Sequence, residues 1–121
     1  MAISYELDDQ LLIVKTEGNF QPNDLQGTFN KIFADPAFKP GINILVHDLD
    51  SVFIPTSKQI ETGAKSIENL MKKFSSKMAI VVSSDVNYGM GRMMEIFSEQ
   101  RGVNVKVFKE FETAKLWLKK E

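Results

Sequence analysis

Apolar and polar positions alternate at the start of the chain and then shift to a longer period. "ISYEL" (3–7) and "LLIVKTEG" (11–18) are β-rich and flank the polar break "DDQ", a pattern that predicts a hairpin. In "PNDLQGTFNKIFAD" (22–35), Leu25, Phe29, Ile32 and Phe33 recur at helical spacing, with Pro22 in the first turn and Pro36 beyond the end. "GINILVHDL" (41–49) is a continuous apolar run, as in a strand buried on both faces. After the loop "DSVFIP", the stretch 56–74 repeats Ile60, Ala64, Ile67, Met71 and Phe74, one face of a helix capped by Thr56 or Ser57. "KMAIVVSS" (77–84) reads as a further buried strand. A helix then runs to about Gln100, stopped by Gly102. "VNVKVF" (103–108) alternates as the last strand. "EFETAKLWLKK" (110–120) closes the chain as a helix with Phe111, Ala114 and Leu118 on one side and Trp117 beside them.

After the hairpin, each helix lies between successive strands. Right-handed crossovers make such strands parallel, with helices packed on the sheet. The expected fold is α/β: one domain over residues 1–121, with a five-stranded, mostly parallel sheet that begins with an antiparallel hairpin, and four helices.

Composition narrows the function classes. The 121 residues are 43% hydrophobic and 26% charged, with a net charge of −1 and no cysteine. This balance supplies no basic surface for nucleic acid, and the missing thiols exclude disulfides, zinc–thiolate sites and cysteine nucleophiles. No apolar run approaches the roughly 20 residues of a membrane span, and the N-terminus has no signal-peptide pattern, so a cytoplasmic protein is expected.

In sheets of this type, ligands gather beyond the C-terminal ends of the strands. Here those ends carry Phe20–Asp24, His47–Thr56, Ser83–Arg92 and Phe108–Glu110. The segment "SSDVNYGMGRMMEIF" (83–97) raises the sharpest question, because Gly89 and Gly91 flank one residue just after a strand. A dinucleotide loop would need a third small residue where Met94 stands, and a Walker lysine with Ser/Thr is absent, so no phosphate loop is read. A free helix N-terminus with Arg92 nearby can still hold a small anion. Met90, Met93, Met94 and Phe97 fall at helical spacing and are expected to face the sheet. Tyr88 and Arg92, four apart, project from the other side and can stack on each other. That pair is either a solvated surface or the lining of a ligand or partner surface. The glycines, costly inside a helix, call for close approach of a neighbouring backbone or a ligand.

His47, the only histidine, reads as a hydrogen-bonded core residue at a strand end. Asp48 and Asp50 share a face of an extended chain. With Asp85 they form either turn caps or an acidic rim of the kind that holds Mg²⁺. No nucleophile elbow, paired carboxylates or metal-ligand spacing emerges, so no catalytic residue, cofactor or metal is assigned.

"GINILVHDLDSVFIPTS", "MAIVVSSDVNYGMGRMMEIF" and "VKVFKEFETAKLWL" together resemble the SpoIIAA-like group of the STAS and CRAL-TRIO-related domains, in order and over nearly the whole chain. The resemblance implies a (βα) superhelix wound on a mostly parallel sheet. Anti-sigma factor antagonists of the wider STAS class switch partners by phosphorylation of a serine, in a loop reading roughly Asp-Ser-Ser-Gly at a helix N-terminus. Here that loop is "VFIPTSKQ", with Ser57 or Thr56 at about the phosphoacceptor place, Pro55 where the aspartate would stand and Lys58 in place of the glycine. The CRAL-TRIO relatives bind lipids, but they are larger.

The expectation is therefore a non-enzymatic STAS-like regulatory or interaction domain that binds a protein partner. Its surface would be built from Phe53, Ile54, Ser57, Tyr88 and Arg92, with Asp48, Asp85, Gly89 and Gly91 around it. The alternative is a small-ligand domain, with an anion or an apolar, lipid-like molecule held between the 83–92 segment and the 48–56 loop. Hydrophobic sheet edges allow a homodimer.

Overall fold

The computed structural model describes residues 3–7, 11–17, 22–38, 41–48, 56, 58, 61, 65, 68 and 77–119, with 22–26 and 48 by backbone only. β1 (Ile3–Leu7) and β2 (Leu11–Thr16) form the expected hairpin, with Tyr5 opposite Val14. They are followed by α1 (Pro22–Ala34), β3 (Asn43–Asp48), β4 (Met78–Val82), α2 (Asp85–Gln100), β5 (Val105–Phe108) and α3 (Phe111–Lys119). From β2 to β5 the strands are parallel, and all five stand in the sheet in chain order.

Three helices, not the four expected, run as continuous elements among the described residues. The helix expected over 56–74 lies outside them, with its stripe of Ile60, Ala64, Ile67, Met71 and Phe74. The exceptions are Thr56 and four residues with helical backbone, Lys58, Glu61, Lys65 and Glu68. No described helix is long and apolar enough to cross a membrane.

The strand order decides where the helices go. Strands added always in one direction by right-handed crossovers place every crossover helix on the same face. α1 and α2 obey this. Phe29 and Ile32 of α1, with Met94 of α2 beside them, pack on Leu12, Val14, Ile44, Met78 and Val105. α3, which follows β5, covers the opposite face. There Ala114 and Leu118 lie on Leu45, Ala79, Val81 and Phe108, with Phe111 and Trp117 at the margins. Trp117 stacks obliquely on Phe108 at 5.7 Å. Asn43 fastens this cover: its amide donates to the Leu118 carbonyl (2.8 Å) and its side-chain oxygen accepts from the Lys77 N–H (3.1 Å). One side chain thus ties the end of α3 to the entry of β4.

α2 stops where its sequence says. Gly102 adopts φ 73°, its N–H bonds the Glu99 carbonyl, and the Val103 N–H bonds the Ser98 carbonyl, both at 3.0 Å. This is a Schellman closure, which glycine makes without a Cβ penalty.

Its rotation differs from the expectation. The stripe that faces the sheet runs through Gly91, Met94 and Ser98. Gly91 and Ser98 are the buried members, and Ser98 Oγ has no hydrogen-bond partner among the described residues. Met90, Met93 and Phe97 are only half-buried. On the helical wheel Met90 and Phe97 turn toward the flank that carries Arg101, where Glu68 pairs with Arg101 at 3.4 Å. The physical reason is distance. An added Cβ at Gly91 would stand 2.4 Å from Val107 Cγ2 and 2.8 Å from Val107 Cβ, so the helix lies too close to β5 for large side chains at the line of contact. Size, rather than hydrophobicity, selects the residues there.

Candidate functional site

The C-terminal ends of β3, β4 and β5 form one rim, because Asp48 pairs with Val82 and Val81 with Phe108 across the ladder. α2 rises from this rim. Ser84, in an extended conformation (φ −105°, ψ 155°), caps it by accepting the Asn87 N–H at 3.1 Å. Asp85 then places a carboxylate in the first turn, where the helix dipole favours negative charge. That carboxylate would repel a phosphate arriving at the same end.

Asp85 is in turn engaged by Lys109, at the end of β5, through a hydrogen-bonded ion pair. The hydrogen bond, and then the charge of Lys109, hold the Asp85 carboxyl below its ordinary value. The same ammonium lies 5.2 Å from the centre of the Tyr88 ring. Lys109 thus takes the place over Tyr88 that was expected for Arg92.

Arg92 points elsewhere. It is exposed, and its Nη1 donates to Glu95 Oε1 at 3.0 Å. The other oxygen of Glu95 accepts the Val107 N–H at 2.9 Å. Arg92 sits seven residues into α2, about 10 Å along the axis from its N-terminus. It therefore supplies no second contact to an anion at that terminus. The two glycines part company as well. Gly91 is pressed against Val107, whereas a Cβ at Gly89 would meet nothing within 4 Å.

Of the other residues expected at the site, His47 is half-buried and its ring lies 5.0 Å from that of Phe111, under the start of α3. Thr56 is exposed. The backbone of Asp48 ends β3, and its side chain lies outside what is described, as do Asp50, Phe53, Ile54 and Ser57. Among the described residues no three His, Asp or Glu side chains converge as metal ligands do.

The structure therefore brings Asp85 and Tyr88 together through Lys109, and holds Arg92 apart on Glu95. Lys109 and Glu95 are not among the residues to which the sequence points. The Arg92–Glu95 spacing of three on a helix was a readable signal; the approach of Lys109 depends on the β4–β5 pairing and was not.

The sheet also lacks the geometry that usually makes a ligand crevice. Doubly wound sheets bind ligands where the strand order reverses, and an order that follows the chain has no reversal. What α2 does carry is a partly exposed apolar strip. Val86, Gly89, Met93 and Ile96 follow one another along the outer side of α2, with Val86 53% and Ile96 52% exposed.

No protein-family model matches the chain, and no curated protein does. Among solved structures it is similar to an uncharacterized protein of the DUF3478 family from Shewanella loihica PV-4, which has a SpoIIAA-like fold. The superposition gives a TM-score of 0.60 at 19% identity and covers 97% of this chain and 92% of that one. The fold is SpoIIAA-like.

Proposed function

We propose that this is a non-enzymatic interaction domain, STAS-like in its regulatory use, that binds a protein partner through the outer face of α2 and the adjoining rim. The observation that carries the reading is the strip of Val86, Gly89, Met93 and Ile96. Two of its side chains are more than half exposed, and one position has no side chain at all. A helix face of this kind suits a complementary apolar surface such as a partner helix. The charged groups beside it are already paired, Asp85 with Lys109 and Arg92 with Glu95. They frame the strip as a polar rim and leave the energy of binding to its apolar centre. Thr56 and Ser57 are the phosphoacceptor candidates through which such binding would be switched.

Native mass spectrometry of the protein purified from its own cells tests this. A stoichiometric protein complex is expected, lost in Ile96→Asp and kept in Leu116→Asp, which alters an apolar side chain 62% exposed on α3. A retained small molecule that disappears in Arg92→Ala would replace this reading with the small-ligand one. Equal loss in both aspartate variants would remove α2 from the proposal.

A further inference from the structure

We infer that β1 is a self-association edge, through which two copies of this chain join their sheets by antiparallel β1–β1 pairing in a register centred on Tyr5.

Among the described residues, β1 has a sheet neighbour on one side only, β2. A strand so placed presents unpaired N–H and C=O groups from alternate residues, which template pairing with another strand. The occupant follows from the strand itself. "ISYEL" is symmetric in character about Tyr5, running apolar, polar, aromatic, polar, apolar. Turned about a two-fold axis at Tyr5, Ile3 meets the partner's Leu7, Ser4 meets the partner's Glu6, and Tyr5 meets the partner's Tyr5.

Opposed residues of an antiparallel pair share a face. Ile3, Tyr5 and Leu7 are half-buried and pack at the margin of the core under α1. This register continues that apolar margin from one copy into the other. Ser4 and Glu6 stay on the opposite, exposed face, where a hydroxyl can donate to the partner's carboxylate.

Other registers do worse. Those that shift one strand by an odd number of residues set outward-facing backbone groups against inward-facing ones. A register centred on Ser4 or on Glu6 pairs fewer residues, and the second sets Glu6 directly opposite the partner's Glu6. Centring on Tyr5 uses the whole strand and opposes no like charges. The Glu6 charge is also matched within its own subunit by Lys15, at 3.8 Å.

This surface is separate from α2, so it stands or falls independently of the partner reading. Sedimentation velocity over a concentration series is the test. The wild-type chain is expected to show a reversible dimer. Ser4→Glu places a second carboxylate directly opposite the partner's Glu6, at two equivalent places in the dimer, and is expected to weaken association roughly tenfold. Ser4→Lys is expected to strengthen it.

A chain that stays monomeric to its solubility limit overturns the inference, as does a dimer indifferent to both substitutions. Should Ser4→Glu fail to fold, cross-linking decides. The chain has no native cysteine, so an oxidised mixture of S4C and E6C chains is expected to form the mixed disulfide in preference to either homodimer. Equal or absent cross-linking overturns the pairing.

Discussion

At one edge of the sheet, β5 has a helix pressed against it. Val107 fills the space that a side chain at Gly91 would need, and its N–H is held by the Glu95 carboxylate, itself paired with Arg92. Lys106 projects from the same short strand. At the other edge, β1 is bordered by β2 alone among the described residues, and Tyr5 Oη reaches Asp35, just past α1, donating to its Oδ2 at 3.0 Å. Bonded edge donors and edge lysines are devices that keep strands from pairing with other chains. One edge has them, while the other has a strand whose pattern complements itself. The difference separates a terminus of the sheet built to be final from one able to accept a further strand.

Substitutions at four positions probe that contrast, beginning with the largest expected effect. Gly91→Leu forces side-chain atoms into Val107 and should lower unfolding free energy by about 3 kcal/mol in urea titrations. A result near zero would mean that α2 is free to lift off β5. Glu95→Ala leaves the Val107 N–H without its acceptor and should lose about 2 kcal/mol, while Glu95→Gln keeps an acceptor oxygen and loses less. Light scattering should rise in the alanine variant if the carboxylate also guards the edge. Gly89→Ala has the opposite sign. It meets no neighbour within 4 Å and replaces a helical glycine, so it should stabilise by about 1 kcal/mol, read as a higher melting temperature.

Tyr5→Phe, on the β1 side, should have the smallest effect and a pH signature. The hydrogen bond to Asp35, with burial and the Asp35 charge adding to it, raises the Tyr5 hydroxyl above its ordinary value. A raised value means that the folded state binds the proton more tightly. The stabilisation is therefore complete below the ordinary phenol range and disappears as pH rises through the raised value. Wild type and Tyr5→Phe should differ at neutral pH and converge in strong alkali. A constant difference across that range would show that the hydrogen bond is not its source.

Much of this arrangement was legible in the sequence. The alternation in 3–7 and 11–16, the apolar runs of β3 and β4, the stop at Gly102 and the order of the eight described elements all appear where their patterns place them. The rotation of α2 was not legible. A search for large apolar side chains finds Met90, Met93 and Phe97, yet the line of contact is made of Gly91 and Ser98, which such a search passes over. Close packing reads as an absence of size, and sequence patterning weighs the presence of hydrophobicity. The pairing of Lys109 with Asp85 was hidden for another reason: 24 residues separate them, and only the β4–β5 register brings them together.

A ribosome delivers this sheet one strand at a time, and each new strand finds its neighbour already made. Order in space follows order in synthesis, so the first crossover face can assemble from the hairpin outward as the chain emerges. Among the described residues, the second face has no such progressive cover. Leu45, Ala79, Val81 and Phe108 wait for α3, nine residues that begin at Phe111. That face thus stays apolar until α3 leaves the exit tunnel. Chains released before Phe111 should be chaperone clients or aggregates, while chains that include α3 need neither fate.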